Sequence, residues 1–436
     1  MSTLCTNDTK SCSDVLSSLQ VACIDSIVHS IHDANILLGT LEYLKLIYLP
    51  PAIIDYIVIE LIKVGRLTPS IFTLLAALKL DTLDFTGVDL STAEDDLFDG
   101  FFEIENSCLQ RWILDGVYLE ACLFRVFATA CRPLPSLSAI KNLLHLHVNN
   151  SDNLTDQYVS FFADAFPLLE SLLLSGCPLL TSDAVVSITN ASFTQSLKAL
   201  DMSYNNASVD SMAYLTNLIV IEQLDISHMK SDESFRFIIS SSRLRVLHMN
   251  GLFILEDADI KYILSGGYHP NNLLLKTLTE LHLTESDISS SCLSELVHES
   301  CPITTDCLPL QQLDLSWTNE NLTNSALDTL ISKCNDLLDL RLQSTDARES
   351  TFLTLTSTCH HLRVLYFSRC LSDSLCLPAL VSLKDLTTLN LGWAMFSSAQ
   401  LDAWVDTFEH FAPALEVVGV QMFCISDRLT SMKDVS

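Results

Sequence analysis

Cys359-His360-His361 sets a thiol beside two imidazoles, the strongest hint of metal chemistry in the chain. Three consecutive residues point in different directions, however, and the paired ligand spacing of a zinc site is absent. Cys292, Cys301 and Cys307 are likewise spaced unlike a zinc ribbon. Asp201, Asp225 and Asp314 hold equivalent places in a recurring phrase and resemble a carboxylate set. Their wide separation along the chain makes them a solvated acidic face rather than partners in acid/base work. The chain contains no phosphate-cradling Gly-x-x-x-x-Gly-Lys-Ser/Thr loop, no Gly-x-Ser-x-Gly elbow and no His-Glu-x-x-His helix. These residues imply no catalytic centre, no metal and no cofactor, so a binding protein rather than an enzyme is expected.

Two stretches near the N-terminus have spacings suited to docking another protein. Within residues 18–27, Leu19, Cys23 and Ile27 fall four apart and line one stripe of a helix, an arrangement that lays leucine into a partner's pocket with cysteine and isoleucine behind it. The same pattern at Leu330, Cys334 and Leu338 lies inside a repeat, where leucine and cysteine belong to the core. Residues 49–57 follow the form apolar, Pro, two residues, apolar, three residues, apolar, which no other of the twelve prolines fits. Pro50 and Pro51 suit a helix start, and Ile53 and Ile57 then share a stripe.

The elements that must position these residues come from a repeat. Leu310-Gln311-Gln312-Leu313-Asp314-Leu315 has the form Leu-x-x-Leu-x-Leu, and the phrase returns with its middle residue at Leu146, Leu172, Leu200, Leu224, Leu247, Leu281, Leu313, Leu340, Leu365, Leu389 and Val418. Degraded copies centre on Leu83 and Trp112. Copies lie about 23 to 34 residues apart, overlapping the period of leucine-rich repeats. No unit buries its leucines alone, whereas stacked units share a continuous core. The expected fold is therefore α/β, a leucine-rich-repeat solenoid with a curved parallel sheet and return helices. Helical spacing over 14–31, a proline-started helix over 51–64 and a third over 70–79 add an N-terminal all-helical module. The expected domains are residues 1–79, the array 80–426 and a polar tail 427–436.

Cys177, Cys334, Cys359 and Cys370, at the ends or starts of units, resemble the cysteine-containing class of these repeats found in many ubiquitin-ligase receptors. The stretch 18–27 resembles a BC-box and 49–57 a cullin-2-box. In this order, ahead of repeats, they resemble the substrate receptors of cullin-2 ligases, and most closely the Zyg-eleven and Zer-one group, also through Val64-Gly65-Arg66-Leu67-Thr68. That resemblance implies Elongin C contact by Leu19, Cys23 and Ile27, and cullin 2 contact by Pro50, Ile53 and Ile57, in a ligase with Elongin B. The family's C-terminal armadillo-like domain, associated with glycine degrons, has no counterpart here, so substrate choice falls to the repeats. Two alternatives use the same residues: a repeat scaffold or inhibitor with no ligase role, and an F-box opening at Leu49-Pro50-Pro51.

Acidic residues outnumber basic ones 53 to 24, for a net charge of −29, which opposes binding to nucleic acid or to an anionic membrane. Residues 41–64 are apolar, but the prolines and charges among them disfavour a membrane span. Fifteen cysteines without an export signal are expected to be reduced, in a cytoplasmic or nuclear protein. Strand alternation places Asp201, Asp225, His248, His282, Asp314, Arg341, Tyr366 and Asn390 on the concave face, with Tyr204, Trp317 and Trp393 just beyond. Trp317, Arg341, Tyr366 and Trp393 are the expected contacts to a protein substrate, because the repeat itself requires none of them.

Overall fold

The computed structural model describes residues 22, 24–26, 39, 51–64, 68, 71, 82–86, 109–117, 142–207, 214–229, 241–252, 256–265, 274–300, 307–318, 322–367, 382–390 and 417–419. The chain forms two compact units, Met1–Asp225 and Ile226–Ser436. In the first, helix α1 (Pro51–Lys63) packs against β1 (Thr82–Asp84). Then follow β2 (Arg111–Ile113), β3 (His145–His147), helix α2 (Asp156–Ala165), β4 (Ser171–Leu173), helix α3 (Ser182–Asn190), β5 (Ala199–Asp201) and β6 (Gln223–Asp225). The strands pair in parallel and in chain order.

The second unit repeats the arrangement with β7 (Val246–His248), α4 (Asp257–Leu264), β8 (Glu280–His282), α5 (Ser290–Ser300), β9 (Gln312–Asp314), α6 (Asn324–Ile331), β10 (Asp339–Arg341), α7 (Glu349–Thr358), β11 (Val364–Tyr366), β12 (Thr388–Asn390) and β13 (Val417–Gly419). Its strands are again parallel and sequential, and α4 to α7 each pack on the next. All thirteen repeat centres read from the sequence lie at the middle of a strand, so the fold is the expected leucine-rich-repeat solenoid. Among the described residues no helix is long and apolar enough to cross a membrane.

The phrase explains the strand. Leu310, Leu313 and Leu315 are at most 1% exposed, and each buried leucine stabilises by about 1.5–3 kcal/mol. The two residues flanking the middle leucine turn to the open face. Beyond the strand the ladder runs on: Leu315 N–H donates to Arg341 O at 3.0 Å and Trp317 N–H to Gln343 O at 2.7 Å. That second bond recurs from unit to unit, and its donor takes a left-handed φ. Gly116, Gly176 and Gly251 donate it, but so do Asn150, His228, Glu285 and Trp317, and Tyr204 and Ser344 share the left-handed φ.

Cysteines link neighbouring repeats. Cys177 Sγ donates to Val148 O at 3.0 Å and Cys359 Sγ to Cys334 O at 3.3 Å. Asn205, 1% exposed, accepts from Cys177 N–H at 2.7 Å and donates to Leu174 O at 2.9 Å.

One expectation is corrected here. Asp201 and Asp225 are 1% and 3% exposed, not a solvated face, and they are register partners on β5 and β6 rather than widely separated. Sequence distance misleads because one full repeat returns the chain to the neighbouring strand. Asp201 Oδ1 accepts from Ser203 N–H at 2.9 Å and from its hydroxyl at 2.7 Å; Asp314 Oδ1 accepts from Ser316 N–H at 2.9 Å. These carboxylates fold the turn after their own strands.

Candidate functional site

In β10, alternation buries Leu340 and leaves Asp339 and Arg341 on the open face. The two clamp together, Nε to Oδ1 at 3.1 Å and Nη2 to Oδ2 at 2.9 Å. Tyr366 is the register partner of Arg341 on β11, and the guanidinium carbon lies 5.1 Å from its ring centre, within cation–π range. Burial raises the Asp339 pKa against the opposing pull of Arg341. Trp317 stands on the turn after β9, 43% exposed with φ +60°. Of the four expected substrate contacts, Arg341 and Tyr366 meet directly, Trp317 is exposed on its turn, and Trp393 lies outside the described residues.

A second group on the same unit escaped the sequence reading in part. His248 and His282 were expected on this face; Glu280, two residues before His282, completes a cluster with them. His248 Nε2 is 2.7 Å from Glu280 Oε1, and His282 Nε2 is 3.5 Å from the same oxygen. Each offers a ligand atom within 4.8 Å of the others, close enough to invite a metal. The rings decide against it. They are stacked with centres 4.1 Å apart and planes 3° apart, so their lone pairs run side by side instead of converging on one ion. As arranged, the trio is two imidazoles sharing one carboxylate. Burial, then His248, pushes the His282 pKa down to about 4. The Glu-Leu-His phrase of β8 was the available signal.

Cys359 is buried with its thiol pushed up to about 12 by burial, while His360 and His361 are exposed and His361 Nδ1 sits 3.2 Å from Asp385. Cys292 is buried and Cys307 exposed, and Cys301 lies outside the described residues. Cys334 and Leu330, the second BC-box-like match, are core residues.

At the N-terminus the start of α1 at Pro51 matches the expected proline-led helix. Ile57 is 5% exposed and Ile53 half-buried; Pro50, Leu19, Cys23 and Ile27 lie outside the described residues. Tyr56 donates its hydroxyl to Asp25 at 3.0 Å, tying α1 to the helical residues around Ile24, itself buried.

Neither a family model nor a curated protein matches this sequence. Solved structures do match in fold. A chain of the Rad7 and Elc1 complex in yeast shares 17% identity over 94% of this chain and 96% of its own, with a TM-score of 0.53. An internalin, inlF, from Listeria monocytogenes matches at 15% identity over 80% and 88%, TM-score 0.48. A chain of the mouse RP105/MD-1 complex matches at 18% over 78% and 51%, TM-score 0.45. At these identities the likeness is one of fold, the leucine-rich repeat.

Proposed function

We propose that this chain is the non-catalytic substrate-recognition subunit of a cullin-2/Elongin BC E3 ubiquitin ligase, acting in the cytoplasm or nucleus and resembling the Zyg-eleven and Zer-one receptors. The observation that carries the proposal is the ordered pair of boxes, 18–27 and 49–57, ahead of a repeat array. Its substrate is a protein, held on the open face of the second unit around Trp317, Arg341 and Tyr366, with Trp393 the fourth contact expected from the sequence. Exposed Trp317 on the turn after β9 and the Arg341–Tyr366 cation–π pair on β10 and β11 support this, since aromatic and arginine anchors dominate protein interfaces. The yeast fold neighbour was itself crystallised in a two-protein complex.

A second reading, a repeat scaffold without a ligase, is favoured by one feature: Ile57 is buried and α1 packs on the edge strand β1, as a solenoid cap does. Recovery of Elongin B, Elongin C and cullin 2 separates the two. With Leu19→Ala/Cys23→Ala the receptor loses Elongin; with Pro50→Ala/Ile53→Ala it loses cullin 2 alone. A folded wild-type chain that recovers neither is a scaffold.

A further inference from the structure

The open face of the first unit carries a group of side chains that no function above uses. Arg111 on β2, His145 on β3 and Ser171 on β4 are register partners in one row, and His147 lies two residues along from His145 on the same face. Neighbouring strands run about 4.8 Å apart, so these side chains are immediate neighbours. The charge of Arg111 bears on both rings, that of His145 on His147, and those of Glu170 and Lys198 on His145.

What distinguishes the group is that it lacks acceptors. Among the described residues, the side chains of Arg111, His145 and His147 make no hydrogen bond or ion pair, and the enclosed Ser171 hydroxyl has no partner. His147 and Ser171 are 7% and 3% exposed, whereas Arg111 and His145 are half-exposed. Buried polar groups are normally satisfied, and each one left unmet costs about 1–3 kcal/mol. The nearby acids are engaged elsewhere: Glu170 binds Lys198 at 2.7 Å, and Asp84 accepts from Thr86 N–H at 2.9 Å.

We propose that Arg111, His145 and His147, with Ser171 at the floor, form a binding site for an oxyanion, a phosphate or carboxylate group supplied by a ligand. Arginine provides fixed positive charge and a planar donor fork, and the two imidazoles provide further N–H donors to the remaining oxygens. The site stands whether or not the chain enters a ligase, and its test involves neither Elongin nor cullin.

The test is calorimetric titration of the intact chain with inorganic phosphate, with a phosphoserine peptide, and with the same peptide carrying glutamate instead. The expected result is binding at about 1 mM or tighter for at least one of them. Preference for the phosphoserine peptide over both others assigns a modified protein, equal binding of both peptides assigns a carboxylate-tolerant site, and phosphate alone assigns a small free anion. Arg111→Gln weakens binding by about tenfold or more, the loss of one charge-assisted contact, and Arg111→Lys restores part of it. Lys198→Gln, which removes a cation already paired, leaves binding unchanged. Should Arg111→Gln fail to fold, His145→Gln replaces it with the same expected loss. No binding of any of the three by the folded wild type, or equal losses with Arg111→Gln and Lys198→Gln, would overturn the proposal.

Discussion

Trp317 holds a strained place in the fold and is one of the proposed substrate contacts. Its left-handed φ costs about 1–2 kcal/mol in an L-residue, and the ladder bond from its N–H to Gln343 O holds it there. Trp317→Gly removes that strain, but it adds about 0.5–1 kcal/mol of unfolded-state entropy and loses the contacts of the indole. Stability is therefore expected to stay within about 1 kcal/mol of wild type in urea unfolding, while substrate recovery falls. Unchanged recovery would remove Trp317 from the binding surface. His147 gives a pH signature. Burial, then Arg111 and His145, push its pKa from 6.5 down to about 4. The unfolded chain binds the proton first, so stability is full above pH 6.5, drains as pH falls toward 4, and changes little below. The shift corresponds to roughly 3 kcal/mol at most. His147→Gln is expected to flatten this window in urea midpoints measured from pH 7 to 4.5. An identical slope in wild type and variant would mean His147 is not held neutral.

Elements depend on what each turn can hold. Gly116 and Gly251 share the left-handed turn, at φ +69° and +63°, but a Cβ at Gly116 meets nothing whereas one at Gly251 runs into the His228 ring. Gly116→Ala is expected to cost about 1 kcal/mol from backbone strain alone, and Gly251→Ala clearly more; equal losses in thermal unfolding would contradict this packing. Asn205→Ala leaves Cys177 N–H and Leu174 O without their buried partner and is expected to cost about 2 kcal/mol or more. The thirteen strands were legible because each carries its own leucine signal, and even Trp112 kept its place as a buried strand centre. Helix α1 was legible from Pro51. Relations between strands were not. His248 and Glu280 are 32 residues apart in sequence yet 2.7 Å apart in space, because repeat length sets who becomes a neighbour. The same folding-back joined Asp201 to Asp225 and Arg111 to His145 and Ser171. Trp317 in a turn that glycine fills elsewhere was equally unreadable, since its N–H bond to the next repeat's Gln343 carbonyl holds that conformation.

At the scale of the whole molecule, a net charge of −29 makes long-range attraction to basic partners screenable by salt. The proposed substrate surface of the second unit, aromatic and arginine in character, would add contacts that are less sensitive to salt. Substrate recovery is thus expected to weaken with salt without vanishing at about 0.5 M, where the screening length is only a few ångströms; complete loss there would leave charge alone as the basis of recognition. The central claim, that this array is a ligase receptor, is tested most directly by mixing the purified full chain with purified Elongin BC and cullin 2 and measuring the mass of the eluting species by light scattering. A single species containing one copy of each protein is the predicted result. Elution of the chain as a separate peak from the other proteins would contradict it.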